Sequence, residues 1–281
     1  MEDILHKIIA NKRLEVEAQK KILPFQALVE LVEKQSYQTQ SMRESLAKSP
    51  FGIIAEFKRK SPSKGWLHPE AEVAEVVPAY EKGGASACSV LTDEDFFGGT
   101  LEDLQTARSL VSLPLLRKDF MVDPYQLFQA RLAGADAILL IASCLKPEEC
   151  LSLAETAHSL GLEVLLEIHN ETELAHLNPH IDMLGVNNRN LGTFHTDINN
   201  SFRLMEQMQE QIARTGGIAP LLIAESGISE PETVLQLREA GFRGFLIGET
   251  FMKTEHPGKT LAEFLQNIFS LNAKTQSTQR R

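Results

Sequence analysis

One unit recurs four times along the chain: a polar stretch of helical character reaches a glycine, and an apolar run begins within a few residues. The four copies are EKGGASACSVL (81–91), RLAGADAILLI (131–141), SLGLEVLLEI (159–168) and REAGFRGFLIG (238–248). Glycine fits the left-handed conformation that ends a helix, so each copy predicts a helix, a cap and a strand. The apolar runs are continuous rather than alternating, which is typical of parallel strands covered on both faces.

Four further apolar runs raise the number of predicted strands to eight. They are 52–57, 113–117, 181–186 and 220–224. Most gaps between strands are long enough for a helix, and helices are predicted over 101–111, 124–133, 147–159, 200–214 and 231–240. Eight such units in 281 residues favour a closed (β/α)8 TIM barrel over an open doubly wound sheet, since these barrels typically take about 250 residues. The absence of a GxGxxG motif after the first strand weakens a dinucleotide-binding interpretation.

The first fifty residues precede the barrel and form a predicted helical extension. Apolar residues recur at helical spacing from Ile4 to Ile9, and a second apolar set follows Pro24. We therefore expect one α/β barrel domain over residues 1–281, of which residues 1–50 are an N-terminal helical extension. A lid over one end of the barrel, a dimer-forming segment and a simply packed appendage fit this pattern about equally.

The composition limits the classes of partner and compartment. A net charge of −10 argues against a general nucleic-acid partner, because affinity for a phosphate backbone needs clustered Lys and Arg. The start, MEDILHKIIANKRLEVE, lacks the apolar core of a signal peptide, and no apolar run reaches the roughly 18 residues of a membrane span. Cys88, Cys144 and Cys150 lack metal-ligand spacing, so we expect free thiols in a reducing compartment and a cytoplasmic protein.

Charged side chains end several of the predicted strands. In IAEFKRKSPSK (54–64) side chains alternate between faces, so Glu56 and Lys58 share the surface of Ile54. The carboxyl ends of barrel strands open onto one face, which carries the active site in enzymes of this fold. Charges gathered there are costly to desolvate, which favours function over a set of ordinary strand ends. The residues expected to converge are Glu56, Lys58, Lys118, Glu167, Asn187, Arg189 and Glu225.

Glycine-centred turns follow the last two strands, in ESGIS (225–229) and LIGETFM (246–252). Barrels commonly bind phosphate on backbone N–H groups at these two positions, together with the N-terminus of a short helix. Ser226, Gly227 and the Gly248–Glu249 pair are therefore predicted to bind a phosphate group. Two ordinary tight turns are the alternative.

Eight longer motifs together span nearly the whole chain. They are IAEFKRKSPSKG, YEKGGASACSVLTDEDFFGG, LLRKDFMVDPYQ, GADAILLI, LLEIHNETEL, GVNNRNL, AESGIS and LIGETFM. In this order they resemble the indole-3-glycerol phosphate synthase family, barrel enzymes of tryptophan biosynthesis. The family acts on 1-(2-carboxyphenylamino)-1-deoxyribulose 5-phosphate and closes the indole ring with loss of carbon dioxide and water. The resemblance thus implies a carbon–carbon lyase of the carboxy-lyase type.

The resemblance also implies roles for individual residues. The implied catalytic residues are Glu56, Lys58, Lys118, Glu167 and Asn187. The implied substrate-binding residues, with the phenylalanines as apolar walls, are Ser61, Phe96, Phe97, Phe120, Arg189, Glu225, Ser226, Gly227, Gly248 and Glu249. The resemblance does not distinguish Phe96 from Phe97. A lysine general acid is implied, with no metal and no organic cofactor, because the substrate is its own electron sink. Trp66 stands where a smaller aliphatic residue is expected.

Two other functions share parts of this pattern. A phosphoribosyl isomerase has the same fold and phosphate turns, although its chemistry usually needs a carboxylate or cysteine acid–base pair. A non-catalytic phosphosugar-binding barrel shares the fold, although none of the expected catalytic residues is missing. We expect a small phosphorylated molecule as the partner and a monomer or weak homo-oligomer. His169 and His195 lack metal-ligand spacing, so surface or structural roles are expected for them.

Overall fold

Eight parallel strands close into a barrel in the computed structural model, which describes residues 4–190 and 192–279. Each barrel strand pairs with the next one along the chain, and the last pairs with the first. The strands are β1 (Ile53–Phe57), β2 (Ala87–Leu91), β3 (Leu115–Lys118), β4 (Ala137–Ile141), β5 (Glu163–Ile168), β6 (Met183–Asn187), β7 (Leu221–Glu225) and β8 (Gly244–Ile247). The prediction of a (β/α)8 barrel is confirmed.

Helices follow most of the strands, and three helices precede β1. They are α1 (Ile4–Ile22), α2 (Phe25–Glu33), α3 (Met42–Lys48), α4 (Val73–Gly83), α5 (Glu94–Phe97), α6 (Leu101–Leu110), α7 (Pro124–Ala133), α8 (Pro147–Ser159), α9 (Asn199–Thr215), α10 (Pro231–Ala240), α11 (Glu249–Met252) and α12 (Pro257–Gln279). The five helices predicted from the sequence correspond to α6 to α10. A 3₁₀-helix (Glu171–His176) connects β5 to β6, and another (Ala142–Cys144) follows β4.

Residues 1–3 of the predicted extension lie outside the described residues. Within the described part of the chain, every helix is too short or too polar to cross a membrane.

Local chemistry determines where the helices begin and end. The Thr100 side chain accepts a hydrogen bond from the Asp103 backbone N–H, and the Asp103 carboxylate accepts one from the Thr100 N–H, which caps α6. Gly134 (φ +86°) and Gly241 (φ +118°) are left-handed C-caps of α7 and α10. The recurring glycine of the sequence therefore marks the point at which the chain leaves a helix and enters the next strand.

Side chains of the strands alternate between the barrel interior and the layer beneath the helices. In β1, Ile54 belongs to the interior cluster, whereas Ile53, Ala55 and Phe57 pack in the outer cluster. The other strands contribute to the interior Ala87, Leu116, Ala137, Leu139, Ile141, Leu165, Met183, Ile223 and Leu246. Both clusters are buried, which explains why the strand sequences are apolar without alternation.

Helix α3 closes the amino-terminal end of the barrel. Met42 and Leu46 are fully buried in the interior cluster, and a Cβ on Gly244 would lie 3.4 Å from Leu46 Cδ1. Ser45 Oγ donates a hydrogen bond of 2.6 Å to the carbonyl oxygen of Ser86, just before β2. The last helix of the extension is therefore a plug that belongs to the barrel core.

Helix α1 lies at the opposite end of the barrel, and α2 packs on the outside. Ile4, Leu5 and Ile8 line the cavity at the carboxyl ends of the strands. Leu28 of α2 is buried in a small cluster with Tyr125 of α7. Of the three interpretations of the extension, these contacts fit a lid for α1, which lies over one end of the barrel. Helix α2 fits a packed appendage.

A buried lysine anchors α1. The Lys12 side chain is 1% exposed, and its Nζ lies 3.0 Å from Asp93 Oδ2, 3.0 Å from Asp119 Oδ1 and 2.8 Å from Glu15 Oε2. Burial alone would lower the pKa of Lys12, but the carboxylates of Asp119 and Asp93 raise it above its ordinary value. The ammonium therefore stays charged and compensates two buried carboxylates beside the cavity.

We predict that Lys12→Met lowers the free energy of unfolding by about 3–5 kcal/mol, because it leaves Asp93 buried without a cation and Asp119 with Arg117 alone. Lys48→Met is the matched control: Lys48 is 77% exposed and pairs with Glu44 at 2.6 Å, so its loss should change stability little. Urea titrations of both variants measure the difference. Equal losses in the two variants would show that the Lys12 cluster does not anchor the extension.

Candidate active site

A cavity of about 480 Å³ opens at the carboxyl ends of the strands. Its lining includes every site residue predicted from the sequence except Phe96. These residues are Glu56, Lys58, Ser61, Phe97, Lys118, Phe120, Glu167, Asn187, Arg189, Glu225, Ser226, Gly227, Gly248 and Glu249. The structure thus brings to one place side chains that lie almost two hundred residues apart in the sequence.

Four charged side chains form the uppermost layer of the barrel interior, one from each odd-numbered strand. Barrels of this kind are filled in layers of four side chains contributed by alternate strands. Glu56, Glu167 and Glu225 are buried, and Lys118 Nζ lies 2.7 Å from Glu167 Oε2 and 3.0 Å from Glu225 Oε2. This charged layer therefore holds three carboxyl groups around one ammonium.

The groups of the charged layer shift one another's pKa values. Burial alone would lower the pKa of Lys118, but Glu167, Glu225 and Glu56 raise it well above its ordinary range. Burial alone would raise the pKa of Glu167, but Lys118 and His169 hold it well below its ordinary range. Burial raises the pKa of Glu225 to about 7, with Lys118 opposing the shift and Glu167 adding to it. The layer thus combines a firmly held ammonium, a firmly ionised carboxylate and a carboxyl group that titrates near neutrality.

Two glycines make room for the carboxyl groups of this layer. A Cβ on Gly185 of β6 would lie 2.3 Å from Glu225 Oε1, and one on Gly248 would lie 2.4 Å from Glu56 Oε1. Both distances are too short for a side chain at these positions. Gly248, predicted from the sequence as part of a phosphate turn, is therefore also required for the placement of Glu56.

A second ammonium lies beside the charged layer. Lys58 Nζ is 2.5 Å from Glu56 Oε1, and the Lys58 side chain is 13% exposed. Asn187 Nδ2 donates a hydrogen bond of 3.1 Å to Glu167 Oε1, which orients the carboxylate that pairs with Lys118. The cavity therefore contains two separate groups, Lys58 and Lys118, that can deliver a proton.

The loop after β1 folds into a short hairpin that the sequence analysis did not predict. Its strands are Lys60–Ser61 and Gly65–Trp66. Arg59 pairs with Asp103 at 2.6 Å, and a Cβ on Gly98 would lie 3.1 Å from Trp66 Cζ3. Trp66 is 58% exposed. Trp66 thus packs against the loop that follows β2, outside the cavity lining.

The turns after β7 and β8 form one wall of the cavity. Ser226 and Gly227 both have left-handed backbones, with φ of +65° and +79°, which is uncommon for serine. Arg189 Nη2 lies 2.9 Å from Glu249 Oε2, and Arg189 Nη1 donates a hydrogen bond of 3.1 Å to Ser63 Oγ. The cavity lining also includes two further basic residues, Lys64 and Lys253. This wall combines glycine-containing turns with cations, as an anion-binding surface does.

Apolar side chains form another wall. The ring centroids of Phe97 and Phe120 lie 6.0 Å apart, and both rings line the cavity together with Ile8 of α1. Phe96 packs against the interior cluster without joining the lining. The contribution of α1 to this wall was left open by the sequence, in which a lid over one end of the barrel was one of three interpretations of the extension. Its only signal was the apolar spacing of the helix, which does not say what the apolar side faces.

The two histidines for which surface or structural roles were expected have different surroundings. His195 is exposed, whereas His169 Nε2 lies 3.3 Å from Glu167 Oε1. Over residues 4–190 and 192–279, no group of three or more His, Cys, Asp or Glu side chains is suited to hold a metal ion.

Known proteins are similar in sequence to this chain over most of its length. A family model described as indole-3-glycerol phosphate synthase matches residues 5–264. A protein of that name from Bacteroides thetaiotaomicron is 58% identical over 268 residues, which cover 95% of this chain and 100% of the relative. Another of that name from Salinibacter ruber is 41% identical over 261 residues, which cover 92% of this chain and 94% of the relative.

A solved structure shares the fold at much lower identity. The tryptophan synthase alpha subunit from Legionella pneumophila matches with a TM-score of 0.59 at 18% identity, covering 82% of this chain and 98% of that one. This likeness concerns the barrel alone. The family model matches most of this chain, and the two relatives match over nearly their full lengths. The chain therefore belongs to the indole-3-glycerol phosphate synthase family.

Proposed function

We propose that this chain is an indole-3-glycerol phosphate synthase of tryptophan biosynthesis. It closes the ring of 1-(2-carboxyphenylamino)-1-deoxyribulose 5-phosphate with loss of carbon dioxide and water. The observation that carries the proposal is the Lys118 ammonium, 13% exposed, which Glu167 and Glu225 hold at 2.7 and 3.0 Å on the floor of the cavity. Ring closure onto a ketone needs such a proton donor at the carbonyl oxygen.

The two walls of the cavity match the two ends of this substrate. The turns at Ser226–Gly227 and Gly248–Glu249, with Arg189 beside them, suit the phosphate group, which binds backbone N–H groups and cations. Phe97 and Phe120 suit the carboxyphenyl ring. A substrate bound between the two walls has its ketone above the charged layer.

The first chemical step forms a carbon–carbon bond. The aromatic carbon that bears the carboxylate attacks the ketone carbon, and negative charge grows on the ketone oxygen. Lys118 donates its proton there, because the alkoxide is a much stronger base than the surrounding carboxylates. Loss of carbon dioxide then returns an electron pair to the ring and restores its aromaticity. Glu167 and Glu225 hold the Lys118 ammonium in position for this transfer, and the amine that remains takes up a proton again before the next turnover.

The second step expels the new hydroxyl group as water and forms the indole. The ring nitrogen supplies the electron pair that drives out the hydroxyl, and a proton is then lost from the adjacent carbon. We assign the proton for the leaving hydroxyl to Lys58, the second ammonium of the cavity. Glu56 or Glu167 accepts the carbon-bound proton. Asn187 orients Glu167 for this work through its hydrogen bond of 3.1 Å.

The partner of this enzyme is a small phosphorylated substrate. A net charge of −10 disfavours a nucleic-acid partner. We expect the enzyme to act in the cytoplasm as a monomer or weak homo-oligomer, with neither a metal nor an organic cofactor.

Incubating the purified chain with the carboxyphenylamino substrate tests the proposal. We expect indole fluorescence to rise and one equivalent of carbon dioxide to be released. A phosphoribosyl isomerase would leave this substrate unchanged, and a phosphosugar-binding protein would bind it without turnover. Either result would contradict the proposed function.

For the general acid, we predict that Lys118→Ala lowers kcat by about 10²–10⁴-fold while the fold stays intact. Lys118→Arg should not restore activity, because a guanidinium keeps the charge but hardly releases a proton. Steady-state kinetics and circular dichroism of both variants provide the measurement. A fully active Lys118→Arg enzyme would reduce the residue to an electrostatic contact and make Lys58 the first candidate for the general acid.

For the phosphate wall, we predict that Gly227→Val raises KM about tenfold or more. A Cβ at this position would lie 2.6 Å from Thr196 Cγ2, in a left-handed turn that lines the cavity. Gly216→Val is the matched control, because Gly216 has a similar φ of +76° but open space around its Cβ. An unchanged KM in Gly227→Val, or an equal rise in Gly216→Val, would remove this turn from the binding site.

For the charge state of the layer, we predict that Glu225→Gln changes how stability depends on pH. The folded-state pKa of about 7 lies above the unfolded value of about 4.3, so the protonated form favours folding and this stabilisation is lost as pH rises between the two values. Relative to wild type, Glu225→Gln should therefore gain on the order of 1–2 kcal/mol between pH 6 and pH 8.

The control for this measurement is Glu249→Gln. Arg189 outweighs the effect of burial and lowers the pKa of Glu249, so Glu249 is ionised in both states above pH 6. Urea titrations from pH 6 to pH 8 should show no trend for it relative to wild type. A flat difference for Glu225→Gln as well would mean that Glu225 is ionised in the folded protein.

A further inference from the structure

The His169 side chain stands between two carboxylates. It follows β5 directly and is 12% exposed, with Nε2 3.3 Å from Glu167 Oε1 and Nδ1 3.3 Å from Glu173 Oε2. Glu167 belongs to the charged layer, whereas Glu173 lies on the 3₁₀-helix that connects β5 to β6. The imidazole ring thus connects the catalytic layer to a helix outside the barrel.

Hydrogen bonds fix His169 from its outer side. The His169 backbone N–H donates to Glu173 Oε2 at 2.6 Å, and Asn200 Nδ2 of α9 donates to the His169 carbonyl oxygen at 2.9 Å. Asn170 Nδ2 donates to the other oxygen of Glu173 at 2.9 Å. Because Glu173 is itself held, the ring has little freedom to leave Glu167.

The contact between His169 and Glu167 is electrostatic. Among the described residues, His169 Nε2 has no hydrogen-bond partner of good geometry, although it lies at ion-pair distance from Glu167 Oε1. A neutral His169 ring would therefore stabilise the Glu167 carboxylate little, whereas an imidazolium would attract it. Burial alone would lower the pKa of His169, but the carboxylates of Glu167 and Glu173 raise it to about 10.

We propose that His169 is a positioning residue: as an imidazolium held by Glu173, it keeps the Glu167 carboxylate ionised and paired with Lys118. The charged groups that act on this arrangement are Glu173 on the 3₁₀-helix, Lys118 on β3 and Glu225 on β7. Removing the imidazolium takes away one of the two charges that lower the pKa of Glu167. Glu167 is therefore protonated at a higher pH in a variant without His169 than in wild type. The kinetic consequence rests on the proposed function, but the charge state of His169 does not.

Nitrogen-15 NMR of histidine-labelled protein tests the charge state without any assay of activity. The signals of His169 are identified as those that disappear in His169→Gln. We expect both ring nitrogens of His169 to be protonated at pH 8.5, where an ordinary imidazole is neutral. In Glu173→Gln, which keeps the ring but removes one of its carboxylates, the His169 titration should move to lower pH. A neutral His169 ring at pH 8.5 in the wild type would overturn the proposal.

Kinetics test the effect on Glu167. The ratio of kcat/KM for His169→Gln to that of wild type should fall as the pH is lowered from 9 towards 5, because the variant loses ionised Glu167 at a higher pH than wild type does. His195→Gln is the matched control, since His195 is exposed, and its ratio should stay flat. A pH-independent loss in His169→Gln would indicate a merely structural role and contradict the proposal.

The two tests separate this inference from the proposed function. If His169→Gln does not fold, as thermal unfolding would reveal, the His169 ring signals are assigned instead by through-bond correlation to its backbone, and the NMR titration of wild type and Glu173→Gln decides. If the wild type forms no indole product but His169 is an imidazolium at pH 8.5, the proposed function fails while the charge arrangement stands. If product forms and His169 is neutral, the inference fails and the proposed function stands.

Discussion

One ammonium and three carboxyl groups share the uppermost layer of the barrel interior, and the surrounding structure must keep this layer close to neutral. An uncompensated charge in such a place costs several kcal/mol, so each group needs a partner. Lys118 compensates Glu167, Lys58 pairs with Glu56, and the remaining carboxyl group, Glu225, titrates near neutrality. The apolar layers below and the α3 plug exclude water from beneath, which strengthens every one of these interactions.

The charged layer also limits what its neighbours can be. Gly185 and Gly248 lack side chains where a Cβ would meet the carboxyl groups of Glu225 and Glu56. Residues outside the cavity serve the same layer from a distance: Lys12 compensates Asp119, the residue next to Lys118 in the chain. Residues outside the charged layer thus help to hold its side chains in place.

The fold and the convergence of charges could be predicted because both follow from local signals and topology. Charged or amide side chains lie at the carboxyl ends of β1, β3, β5, β6 and β7, and a barrel brings all such ends to one face. The choice between Phe96 and Phe97 could not be predicted, since neighbours on a helix point about 100° apart and nothing in the sequence orients the four-residue helix α5. Lys12 was equally hidden, because Asp93 and Asp119 approach it only through the fold.

The N-terminal extension contacts both ends of the barrel, and this has a consequence for the order of synthesis. Ser41 Oγ donates to Glu163 at 2.5 Å, and Arg43 Nη2 donates to the Ala219 carbonyl oxygen at 3.1 Å. A ribosome synthesises α3 first and these partner residues more than a hundred residues later. Met42 and Leu46 therefore stay without their native burial during most of translation, and the barrel core is completed only when the final strands arrive.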